Sequence, residues 1–148
     1  MNKQMSLSFI HDELKEVKTH KREFLEKMDA ILPWEQLYEL VKPCYYEGVR
    51  GNKPYDLELM LRIHLIQNLY DLSDEGTRNE IIDSRAFSDF CEVESSNQIP
   101  DGDTIGRFRN LLIQNHIHEQ FFAVVLKTLT NRGLILKKGT IVDSTIIS

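Results

Sequence analysis

Residues 56–71 read DLELMLRIHLIQNLYD. Leu57, Leu59, Met60, Leu61, Ile63, Leu65, Ile66, Leu69 and Tyr70 leave only a narrow polar stripe, a pattern that predicts a helix covered on nearly all sides. Asp56 stands where a side-chain oxygen can cap its start. The stretch therefore marks the most buried helix of a mainly α domain, and its single imidazole, His64, reads as a hydrogen-bonded core residue rather than a ligand.

Upstream, Ile10, Leu14, Val17, Phe24, Met28 and Ile31 recur at steps of three and four, so residues 8–30 suggest a long amphipathic helix for intramolecular packing or a dimer contact. Leu32-Pro33-Trp34 restarts the helix, and Pro43 is expected to stop it. CYYEGVRGNKPY, residues 44–55, reads as a surface loop. Downstream, Ser73, Asp74 and Glu75 suit a helix start, predicting helices over about 73–83 and 84–91, before the polar loop ESSNQIPDGD at 94–103. Asp103 is the expected cap of DTIGRFRNLLIQN, and HEQFFAVVLKTLTNRG runs to Gly133, whose freedom at positive φ suits a helix end. That makes about seven helices. Thr140, Ile141, Val142, Thr145, Ile146 and Ile147 then form a β-branched run that predicts one C-terminal strand with Asp143 in its middle.

At 148 residues, 41% hydrophobic and 28% charged, the chain is of one-domain size and too apolar for a disordered protein. Its net charge of −5 excludes a surface coated in positive charge, so any nucleic-acid contact must come from a local patch. No apolar run reaches the length of a membrane span and MNKQMSLSFIHDELK lacks a secretory apolar region, which makes a cytoplasmic location the expectation. Cys44 and Cys91 stand alone, without metal spacing, and read as reduced core thiols.

A carboxylate flanked by isoleucine and valine costs several kcal/mol to desolvate unless a cation or donor offsets it. Asp143 is thus either an edge-strand residue facing water or part of a site, and one acid alone does not make a magnesium site. The blocks KPYDLELMLRIHLIQNLYDLSDEGTRNEIIDSRAFSDFCEV, IPDGDTIGRFRNLL and GLILKKGTIVDSTII, in that order, resemble the N-terminal half of bacterial insertion-sequence transposases, the InsH-like group of insertion sequence family five. The resemblance covers about Ser8 to Ser148. It implies a DDE-type enzyme with a helical domain, residues 1–133, followed at 134–148 by the first strand of a ribonuclease-H-like catalytic fold. In that family the strand's aspartate is the first of three acidic Mg2+ ligands, a catalytic and metal role that carries over to Asp143 alone. The chain alone is therefore expected to be inactive in strand cleavage and transfer, since the chemistry needs further carboxylates to hold two magnesium ions.

The acidic total hides an uneven distribution. From Ile105 to Thr140, Arg107, Arg109, Lys127, Arg132, Lys137 and Lys138 face only Glu119. Thr104, Arg107, Arg109 and Asn110 fall in the first half of a capped helix, where donors can meet phosphate or guanine edges. The preceding helix would be the supporting member of a helix-turn-helix-like pair, although the loop between them is long for that motif. The family's block here commonly has histidine-serine where this chain has Gly102-Asp103, which adds negative charge. A thinner basic group, Arg50 and Lys53 with Arg62 beyond, could track a backbone phosphate. His116 and His118 read as helix-junction residues. The expected partners are transposon-end DNA and a second copy or full-length transposase. The alternatives are a DNA-independent dimerisation module or inhibitor, or a remnant without function.

Overall fold

The computed structural model describes residues 19–46 and 55–134 in full, and residues 136–137 and 140–141 as backbone. The described residues form seven α-helices: α1 His20–Ile31, α2 Trp34–Tyr46, α3 Leu57–Leu69, α4 Asp74–Asp83, α5 Arg85–Cys91, α6 Gly102–Gln114 and α7 Ile117–Asn131, with a 3-10 turn at Ser96–Gln98. As the pattern at 56–71 predicts, α3 is central: Leu57, Met60, Leu61, Ile63, Leu65, Ile66 and Leu69 are all buried, as are His64 and Gln67. Helices α2, α4, α5 and α6 pack against it. Each fully buried side chain of this size contributes about 1.5–3 kcal/mol, so α3 and the residues that cover it, among them Met28, Leu37, Phe87, Leu112 and Phe121, dominate the core.

Local chemistry sets the helix starts. Thr19, Ser73, Ser84 and Asp101 each accept from a backbone N–H three residues on, at 3.2, 2.9, 3.2 and 2.8 Å. Asp56 occupies the cap position of α3 without a side-chain bond. Two expectations are corrected. Pro43 does not stop α2 but lies inside it, in the last turn, where the missing N–H forfeits one bond near the helix end. Asp103 is not the cap of α6. That role falls to Asp101, and Asp103 sits in the first turn.

The end of α7 closes as the glycine predicts. Gly133 has φ +78°, its N–H reaches the Thr130 carbonyl, and the Leu134 N–H reaches that of Leu129 at 2.8 Å. Leu129 and Leu134 are both buried, which adds the apolar clasp of this termination. Beyond it, Leu136–Lys137 (β1) pairs antiparallel with Thr140–Ile141 (β2), Leu136 opposite Ile141. The rest of the expected strand, including Asp143, lies outside the described residues, as do residues 1–18 and 47–54.

Two histidines are paired across the core over a long separation in the chain. His64 is fully buried, and its Nε2 lies 3.0 Å from Nδ1 of His118. Asn68 Nδ2 approaches His64 Nδ1 at 3.3 Å, and Phe108, Phe121 and Phe122 enclose the ring. With Asn68 as donor, His64 holds its proton on Nε2 and gives it to His118, so both rings are neutral. His116 sits at the α6–α7 junction with φ 58°, in the junction role expected of it. Cys44 and Cys91 are buried and form no disulfide, and burial pushes the Cys91 thiol up to about 12, which leaves it unreactive.

Two outcomes follow for stability. Leu65→Ala should lower the unfolding free energy by about 2–5 kcal/mol in urea titrations. Burial, then His118 and Arg109, drives His64 down to about 3, and burial also lowers His118. Both protonate more readily once unfolded, so their contribution is complete above about pH 7 and is lost progressively as pH falls below about 6.5, for His64 down to about 3. The slope should approach about 1.4 kcal/mol per pH unit for His64, with a further contribution of the same sign from His118, and His118→Gln, which can still accept the His64 bond, should make it shallower.

Candidate nucleic-acid interface

Arginines in this acidic protein are assigned first by what the fold already takes from them. Arg62 donates to Asp29 at 3.0 Å and to the Phe90 carbonyl at 3.0 Å, and its guanidinium lies 4.2 Å from the centre of the Trp34 ring. It therefore clamps α1, α2 and α5 together. Arg22 pairs with Asp89 at 2.7 Å. Arg78 of α4 donates to the carbonyls of Ile99 and Pro100 at 2.6 and 3.3 Å. That bond fixes the loop leading into α6, one residue before the capping Asp101.

The start of α6 is built on α4. Asp74 accepts from Gln67 of α3 at 2.7 Å and is ion-paired with Arg109 of α6. Room for these carboxylates comes from Gly102 and Gly106: a methyl group at Gly106 would stand 2.7 Å from Asp74 Oδ2, and one at Gly102 would collide with Glu75 Oε2. The two glycines let the first turn of α4 lie directly on α6. The helix supporting α6 is thus chiefly α4, not α5 as chain order suggests. The Thr104 N–H holds the Asp101 carboxyl below the usual carboxylate range.

On this platform, Ile105, Phe108 and Leu112 turn inward, while Arg107 and Asn110 are exposed and Thr104 is half-buried. Arg107 donates to the Thr104 hydroxyl at 3.1 Å. Arg109, on the adjacent face, is tied to Asp74 with its side chain 30% exposed. So the structure brings Thr104, Arg107 and Asn110 to one surface and holds Arg109 against α4. Lys137 belongs to β1, described as backbone, and Lys138, Arg50, Lys53 and Asp143 lie outside the described residues. An open cleft beside the ridge is lined by Asp74, Glu75, Asp101 and Asp103 as well as Arg107 and Arg109, so its floor is acidic.

Among the described residues no group of three or more His, Cys, Asp or Glu side chains is arranged to hold a metal ion. None of their helices is long and apolar enough to cross a membrane. Sequence reading missed the Arg78 clamp and the Asp74–Arg109 pair, which join residues 21 and 35 positions apart. Only the four-residue spacing of Gly102 and Gly106, one face of a helix, carried a local sign of close packing.

A family model described as a transposase domain (DUF772) matches residues 12–111, more than half of the chain and all of α1 to α5. No solved structure matches.

The α4–α6 contact generates its own test. Gly106→Ala should cost about 1–3 kcal/mol in thermal or urea unfolding, despite alanine's better helix propensity, because Asp74 is held by two partners and cannot move aside. In an Asp74→Ala background the same change should be near neutral or stabilising. Additive costs would show that the glycine is not there for the carboxylate.

Proposed function

The chain belongs to this transposase-domain family, and from that premise we propose that residues 1–133 are the DNA-end binding and assembly domain of a transposase, with residues 134–148 leading into a ribonuclease-H-like catalytic unit. What supports the reading is the division of roles along α6. One flank is tied to α4 through Asp74 and Arg109, while Thr104, Arg107 and Asn110 meet solvent together on a helix whose start is fixed by the Asp101 cap and the Arg78 clamp. A helix held at its N-terminal end, with arginine and asparagine on its free face, is suited to the major groove.

In this reading Arg107 and Asn110 reach base edges or phosphate and Thr104 orients Arg107. Arg109 fixes the helix, and Lys137, Lys138, Arg50 and Lys53 add flanking phosphate contacts. Cutting and joining of DNA belong to the unit led by Asp143. Mg2+ there would activate the attacking oxygen and stabilise the leaving one. The described helices offer Mg2+ no carboxylate set, and no step of bond cleavage is assigned to them.

Binding of labelled transposon-end duplex, followed by fluorescence anisotropy, tests the proposal. Affinity should fall steeply as salt rises from about 50 to 200 mM. Arg107→Ala should weaken it about tenfold with the fold intact, while Lys127→Ala on α7 should change it little. The same titration separates the alternative of a DNA-independent dimerisation module, which would sediment as a salt-resistant dimer and leave the duplex free.

A further inference from the structure

One ridge of α6 is left unused by the fold. Asp103, Arg107, Asn110 and Gln114 follow at steps of four, three and four, which puts them on one helix face, and all four are exposed. The neighbouring polar residues are occupied within the molecule: Asp101 caps, Arg109 pairs with Asp74, and Asn115 donates to the Leu111 carbonyl at 2.8 Å. On the ridge itself only Arg107 has a described partner, the Thr104 hydroxyl. The Asp103 side chain, no longer needed as a cap, makes no hydrogen bond or ion pair among the described residues, and neither does the side chain of Asn110 or Gln114.

The ridge also has the wrong charge for a surface that merely follows phosphates. It carries one arginine and one aspartate, and at its N-terminal end Asp74, Glu75 and Asp101 add to the negative charge. Its side chains are instead those that tell base edges apart: arginine donates to guanine O6 and N7, asparagine and glutamine pair with adenine N6 and N7, and aspartate accepts from the cytosine amino group. From Asp103 to Gln114 is about 16 Å along the helix axis, the length of about five base pairs.

We infer that this ridge reads DNA sequence in the major groove, with Asp103 and Gln114 as specificity-determining residues at its two ends; the inference rests on the DNA-binding reading of α6. Asp103 discriminates by repulsion as well as by attraction. In a register that offers no amino donor, its carboxylate faces only acceptors and phosphates, so mismatched duplex is penalised.

The test is selection from a pool of random-sequence duplexes by the full chain, its Asp103→Asn and Gln114→Ala variants, and a Gln120→Ala control on α7. Wild type and control should enrich one short common core. Asp103→Asn should lose about tenfold preference at a position near one end of that core while binding unselected duplex more tightly, and Gln114→Ala should lose preference near the other end. Selection of the wild-type core by both variants would overturn the inference, as would wild-type protein that binds the pool without enriching any sequence, a result that leaves DNA binding itself standing. A wild-type chain that retains no duplex even at low salt would remove the DNA-binding reading and the ridge's role together.

Discussion

A helix with almost no polar face has to be surrounded, and that constraint on α3 organises the molecule. Apolar residues on all sides of Leu57–Leu69 demand partners from every direction, and α2, α4, α5 and α6 supply them. An unpaired buried donor or acceptor costs about 1–3 kcal/mol, and most of the polar groups that α3 carries inward find partners, Gln67 Oε1 being left without one among the described residues. His64 is answered by His118 and Asn68, and the Gln67 amide is answered by Asp74. Hence the polar atoms of α3 determine which faces of α4 and α7 turn toward it, a choice that apolar contact alone would leave loose.

Through Asp74 the same constraint reaches the surface. Its carboxylate joins Gln67 in the core to Arg109 on α6, and its approach is possible because Gly106 presents no side chain. Arg78, one turn further along α4, holds the carbonyls of Ile99 and Pro100. The orientation of the exposed ridge on α6 is therefore set from beneath by two side chains of α4, and the cap at Asp101 sets where that ridge begins.

Much of the architecture was legible along the chain because it is local. The apolar density of 56–71, the serine at 73 and the glycine at 133 each carry their meaning within a few residues. The cap of α6 is ambiguous in sequence because Asp101 and Asp103 are both capping residues two positions apart; the structure gives the role to Asp101, next to the carbonyls that Arg78 holds. Pro43 reads as a stop in sequence, but a proline in a final turn forfeits little, so the rule that it ends helices loses its force there. Likewise, composition marked Arg109 as a DNA-contact candidate, but that it lies against Asp74 depends on which faces of two distant helices meet. Arg50, Lys53, Lys138 and Asp143 were singled out from sequence at positions that lie outside the described residues.

The clasp that ends α7 has a mechanical meaning. Because the Gly133 and Leu134 N–H groups bond back onto the last turn and Leu134 is seated in the core, the last described turn is pinned to the helical body through its own backbone and one apolar side chain, so loosening it would require Leu134 to leave the core.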